Sequence, residues 1–432
     1  METQKVSTAK CDMGTFAPMG SKFIGLKGAK LTKALQQASL PQQPGNVPPS
    51  GAAMAGTITN ASGNPIADVY YNPNGQYGDA KPAALQLLQS GALIDSILSQ
   101  VSGVKIPRNQ TNSNTGNPYK PYPVYVSGGG SQGAYGAYHF SCHDTEFVLD
   151  SLKNTGAYMA PVGKTAKAAA QAAASGAGGY LTPALFAAEL TESYEAFWND
   201  AHPNRTANGG WACGNTNGEA MSRMMAFLIG DQVNSPIDKV SGFSGGVSQY
   251  WWQKGHPDYV NDNSMTDQST RGNGCGVMFL NFLNSYLGIS MKQIWQAGSD
   301  TLGDTYAALA KQNPTMAQKV AALAGGGSKG MTGQSAFKAM INLLTKYAQN
   351  SKGQLNLPAN GNPYPSMPGA AKWKNVWQQM GIPAPNQSGA KPGTASGPSK
   401  RTAAASSGKS PAEQPALPEI QVLREILLTQ IR

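Results

Sequence analysis

The segment 184-ALFAAELTESYEAFW-198 has the apolar spacing of a helix. Phe186, Leu190, Tyr194 and Phe197 fall on one side, Glu189 lies at the margin of that stripe, and Glu192 and Glu195 lie opposite. The pattern predicts an amphipathic core helix with a solvated acidic face. After a spacer, 213-CGNTNGEAMSRMMAFLIG-230 opens a second helix with Gly218-Glu219.

Helical spacing recurs on both sides of this pair. It predicts helices over 82–101, 143–156, 163–176, 182–200, 217–230, 276–288, 290–298, 315–325 and 333–349. Thr182-Pro183, Asn217 and Gly288 supply starts and stops. The segment 124-VYVSGGGSQGAYGAYHF-140 alternates aromatic or β-branched residues with small ones around a glycine cluster, the pattern of a hairpin or two edge strands. The expected architecture is a mostly helical α+β fold. Residues 1–60 are read as a loosely ordered basic arm and 61–384 as the globular domain. Within that domain 140–310 is the core and 311–350 a helical extension. Residues 385–416 hold no large apolar residue and read as a flexible linker, followed by an amphipathic helix over 417–432.

The chain has 432 residues, of which only 13% are charged, with 51 Gly and 29 Pro. A surface polar through hydroxyl and amide groups suits extracellular or particle-associated proteins. Lys and Arg outnumber Asp and Glu by 33 to 23, and most of the +10 excess sits in the tails. Basic tails suit an anionic surface. No secretory signal is visible, and no run of about 18 apolar residues exists to span a membrane. Cys11, Cys142, Cys213 and Cys275 show no C-x-x-C spacing, which argues against a zinc knuckle; one bridge, Cys213 to Cys275, is compatible with the count.

Residues 140–310 resemble a zincin-like domain of the glutamate-zincin type. The resemblance rests on 188-AELTE-192, on 217-NGEAMSR-223, and on 274-GCGVMFLNFLNSYLGISMKQI-294. The chain also looks like a group of uncharacterised bacterial proteins with "W-x-C-G-x-x-N-G-E" and "G-C-x-V-x-F-L-N" patches. The resemblance puts Ala188 and Glu192 at the two helix ligand positions, Glu189 at the general-base position and Glu219 at the downstream ligand position. Neither helix ligand position holds a histidine, so the resemblance implies a fold without its usual zinc site and with no cofactor.

Other candidates stand apart from that pair. His139 and His143 have the i,i+4 spacing of metal ligands. Tyr250, Trp251, Trp252 and Tyr259 form an aromatic patch of the kind that stacks on sugars or peptides. Ile420, Leu423, Leu427 and Ile431 make a coiled-coil-like seam for a protein partner or self-association. The expectation is a non-catalytic binding or structural protein on a degenerate peptidase-like fold, docked through 417–432. The alternatives are a hydrolase of peptide or polysaccharide using Glu189 with Glu192 and Glu219, and a virion or extracellular assembly component.

Overall fold

The computed structural model describes residues 45, 47–75, 80–106, 121–127, 137–139, 146–149, 179–203, 210–235, 245–262, 269–326, 329–358 and 360–385. His143, the helix expected over 163–176, the linker beyond 385, and the docking segment with Ile420, Leu423, Leu427 and Ile431 lie outside these residues. Of two compact units, Met1–Ala395 and Ser396–Arg432, all the described residues belong to the first. Its fold is α+β and mostly helical, as the periodicity predicts.

A five-stranded sheet runs in the order β1-β2-β3-β5-β4. Strands β1 (Ala53–Thr59) and β2 (Pro65–Tyr71) form an antiparallel hairpin. Asn60 makes the turn by accepting from the backbone N–H of Ser62 and Asn64, each at 3.0 Å, while Gly63 takes a left-handed φ of 77°. The ordered chain therefore reaches into the segment read as a loose arm. Local composition hid β1 because its partner strand and the helix beneath it provide the order.

Strand β3 (Tyr122–Val126) lies parallel to β2 and to β5 (Phe147–Leu149), and β4 (Ala137–His139) closes the other edge antiparallel to β5. Two expectations change here. The two strands within 124–140 are not a hairpin, since β5 inserts between them. The helix expected over 143–156 contains β5 instead. Phe147, Val148 and Leu149 are all buried, Phe147 and Leu149 in the main core and Val148 with Tyr125 and Val47 in a smaller cluster. A short apolar run buried on both faces has no period that separates strand from helix.

Helix α1 (Lys81–Ser102) packs against β1, β2 and β3. Gly91 permits the approach: a Cβ there would lie 2.4 Å from Ile58 Cδ1. Helix α2 (Thr182–Ala201) packs on α1, on α3 (Thr216–Gly230), and on β4 and β5. Its N-terminus carries the expected proline, whereas α3 has Asn215 rather than Asn217 at its N-cap position, with no side-chain cap bond. Asn217 instead ties loops together, donating to the carbonyls of Gly210 (2.8 Å) and Ser299 (2.9 Å). Helix α5 (Thr270–Asn281) continues into a π-helical turn over Phe282–Tyr286 and packs on α3 and on α4 (Gly245–Gln253).

The remaining helices are α6 (Met291–Gln296), α7 (Leu302–Gln312), α8 (Pro314–Leu323), α9 (Gly333–Tyr347) and α10 (Val376–Met380). Buried Trp211 and Trp251 have their indole N–H satisfied by the carbonyls of Trp295 and Pro257, both at 2.9 Å. Among the described residues no helix is long and apolar enough to cross a membrane.

Candidate functional site

Helix α2 is buried from Thr182 through Trp198, with no exposed face along that length. A helix enclosed on all sides is ordinarily apolar throughout. This one carries Glu189, Glu192 and Glu195, each with 0% exposure, and α3 brings in Glu219, also at 0%. The expected solvated acidic face is therefore a buried acidic cluster. His139 of β4 and Gly218 of α3 meet the glutamate side that a wheel drawn from sequence leaves to water, while α1 and β5 meet the apolar stripe at Tyr194 and Phe186.

His139, 2% exposed at the end of β4, enters the same cluster. Its Nε2 lies 3.0 Å from Glu192 Oε2 and 3.9 Å from Glu189 Oε2. Arg223 follows Glu219 by one helical turn and is 3% exposed, with its guanidinium 3.6 Å from Glu219 Oε2. Among the described residues no other Lys or Arg is buried. Among the described residues, four buried carboxyl groups thus gather around one buried guanidinium and one imidazole.

The apolar wall is Phe147, whose ring centroid is 6.0 Å from that of His139 and 5.7 Å from that of Phe186. Removing carboxylates from water costs several kcal/mol each unless a proton or a cation compensates. Burial pushes Glu192 up to about 7, against the opposing pull of the Ser222 hydroxyl, the Glu219 carboxyl and the positive charge of Arg223. Glu195 is raised well above the carboxylate range by burial and then by the charges of Glu192 and Glu219. Neither oxygen of Glu195 has a hydrogen-bond partner, and Glu192 Oε1 has none either.

Cys213 completes the group. Its Sγ, a carboxylate oxygen of Glu192 and a ring nitrogen of His139 all lie within 4.8 Å of one another. Cys213 is disulfide-bonded, while Cys275 is a free, buried thiol. The bridge compatible with the cysteine count, Cys213 to Cys275, is not formed. The other two cysteines, Cys11 and Cys142, lie outside the described residues.

Gly218 sets how closely α3 approaches α2. A Cβ at this position would meet Ala212 O at 2.4 Å and Glu195 Oε2 at 2.6 Å. Gly218→Ala is expected to destabilise the protein by about 1–3 kcal/mol through overpacking. Thermal melting checks this, and an unchanged midpoint would rule out the close approach.

The structure brings together Glu189, Glu192, Glu219 and His139 from the sequence candidates. Glu192 lies beside His139, while His143, the partner expected for it, lies outside the described residues. The aromatic patch goes elsewhere: Trp251 (0%), Trp252 (4%) and Tyr259 (8%) are core residues, Trp252 stacks on His256 at 4.4 Å, and Tyr250 is partly buried. Glu195, Arg223 and Cys213 were missed as parts of one site. One signal for burial was present, because α2 contains three glutamates and no Lys or Arg, unlike a solvated helix face. Comparison with protein-family models, curated proteins and solved structures finds no match.

Proposed function

We propose that this chain is a metal-binding protein that holds one divalent cation at the cluster of His139, Glu189, Glu192 and Glu219. The observation that carries this reading is the charge imbalance among the described residues: four glutamates at 0% exposure face one buried Arg and one buried His. A cation in their midst offsets the desolvation of several carboxylates at once, which Arg223 alone cannot do. An imidazole with carboxylates suits zinc, manganese or iron(II) better than calcium, which takes oxygen ligands alone. This departs from the expectation of a chain without a cofactor. The proposed division of labour is His139 and Glu192 as ligands, Glu219 beside them and held by Arg223, and Glu189 at the margin. In the same reading residues 417–432 tether the domain to a protein partner.

A second reading, hydrolysis of a peptide or polysaccharide bond, is favoured by Glu192. A carboxyl group with its midpoint at about 7 is matched to proton transfer at neutral pH. Both readings are tested on chelator-stripped protein. Calorimetric titration with zinc and manganese is expected to give one site per chain, lost in His139→Ala and in Glu192→Gln. Absence of binding for both metals ends the reading. Turnover of a casein or peptidoglycan probe by the loaded protein, abolished in Glu189→Gln, separates the hydrolase from a binding protein.

A further inference from the structure

We propose that reduction of the Cys213 disulfide converts this cluster into a thiolate-containing zinc site, with His139, Glu192 and Cys213 as ligands. The proposal deepens the metal-binding reading by naming the metal and a redox condition under which it binds tightly. Three geometric facts carry it. The ligand atoms of His139, Glu192 and Cys213 lie within 4.8 Å of one another. Zinc bonds of about 2.0–2.3 Å put tetrahedral donors roughly 3.5 Å apart, so the triangle closes with small side-chain adjustments. Glu192 Oε1 sits fully buried without a hydrogen-bond partner.

Burial differs within the triad. His139 and Glu192 are enclosed, whereas Cys213 is only partly buried. As a disulfide the sulfur is a poor ligand, and the cluster offers one imidazole and carboxylates. A dithiol supplies the electrons: its two S–H bonds break, its sulfurs join, and the protein S–S bond becomes two S–H groups. On zinc binding the Cys213 thiol gives up its proton, and the thiolate adds the soft donor that zinc favours over manganese or magnesium. Glu189 Oε2, 3.9 Å from the same imidazole nitrogen, is placed to take the fourth position. Cys275 is not an alternative ligand, because burial pushes its thiol far up and keeps it protonated.

The experiment uses the full chain, oxidised and dithiol-reduced, each stripped of metal. Zinc affinity is read by competition with a chromophoric chelator, and the ligand type by the near-ultraviolet thiolate-to-metal charge-transfer band of the cobalt(II) form. Reduction is expected to tighten zinc binding by roughly tenfold or more and to produce the cobalt band. Cys213→Ser and, as a variant that retains the disulfide cysteines, reduced His139→Ala should lose the tight site, while Cys275→Ala keeps it.

Equal zinc affinity before and after reduction, with no cobalt band, overturns the redox proposal and leaves the metal-binding reading intact. Binding only after reduction supports the proposal while removing the reading for the oxidised protein. No binding in either form ends both. A band that persists unchanged in Cys213→Ser or in reduced His139→Ala assigns the thiolate elsewhere and overturns the proposal.

Discussion

Arg223→Met is expected to lower the melting temperature by on the order of 10 °C. The guanidinium is 3% exposed and 3.6 Å from Glu219 Oε2, and it is the one buried Lys or Arg among the described residues. Methionine keeps much of the volume and deletes the charge, so packing loss is small. What remains is a buried carboxylate beside Glu192 and Glu195 with its cation gone. Breaking a buried pair from one side costs about 3–5 kcal/mol, and each kcal/mol shifts the midpoint by about 2 °C in a domain this large.

The loss should shrink at acid pH, where Glu219 takes up a proton, and should be largely recovered in Glu219→Gln/Arg223→Met. Differential scanning calorimetry of the two variants at two pH values checks this. A single variant that melts with the wild type would show that the cluster is already neutral without the arginine.

The metal-free protein is expected to lose stability as pH rises from about 4.5 to about 7, with Glu192 as the main cause. Its carboxyl is pushed from 4.5 up to about 7 in the folded chain. Between those values the folded state binds more protons than the unfolded state, so stability falls with rising pH across that window and levels off above it. A difference of this size corresponds to roughly 3 kcal/mol. Glu195, raised in the same direction, extends the decline to higher pH.

Glu192→Gln stays neutral at every pH, so its profile should be flatter and should cross above the wild type near neutrality. Denaturant unfolding in chelator across this range gives the test. Parallel profiles for the two proteins would show that Glu192 does not hold its proton in the folded state. A stoichiometric divalent cation should reverse the slope, because it binds the ionised carboxylates.

The parts legible in the sequence were those set by neighbours along the chain. Periodicity and turn residues located α1, α2, α3, α5, α6, α8 and α9, because each helix displays its own apolar spacing and terminators within one segment. Glu189, Glu192 and Glu219 were singled out from their placement on two successive helices.

The tertiary structure alone decided what those residues face. Strand β5 is a strand because β3 and β4 flank it, and β1 is ordered because β2 and α1 receive it. Whether Glu192 and Glu195 meet water or protein depends on which elements cover the second side of α2, and the apolar period of one helix carries no information on that. His139 is 53 residues from Glu192 along the chain, so their 3.0 Å contact depends on how the outer strand is laid against α2. The sequence by itself determined seven of the ten described helices and the acidic residues they carry, whereas α4, α7 and α10 were not read from it. Burial, and with it the shifted proton affinities and the shared site, arises only when α1, α3 and the sheet close around α2 and take the carboxyl groups out of water.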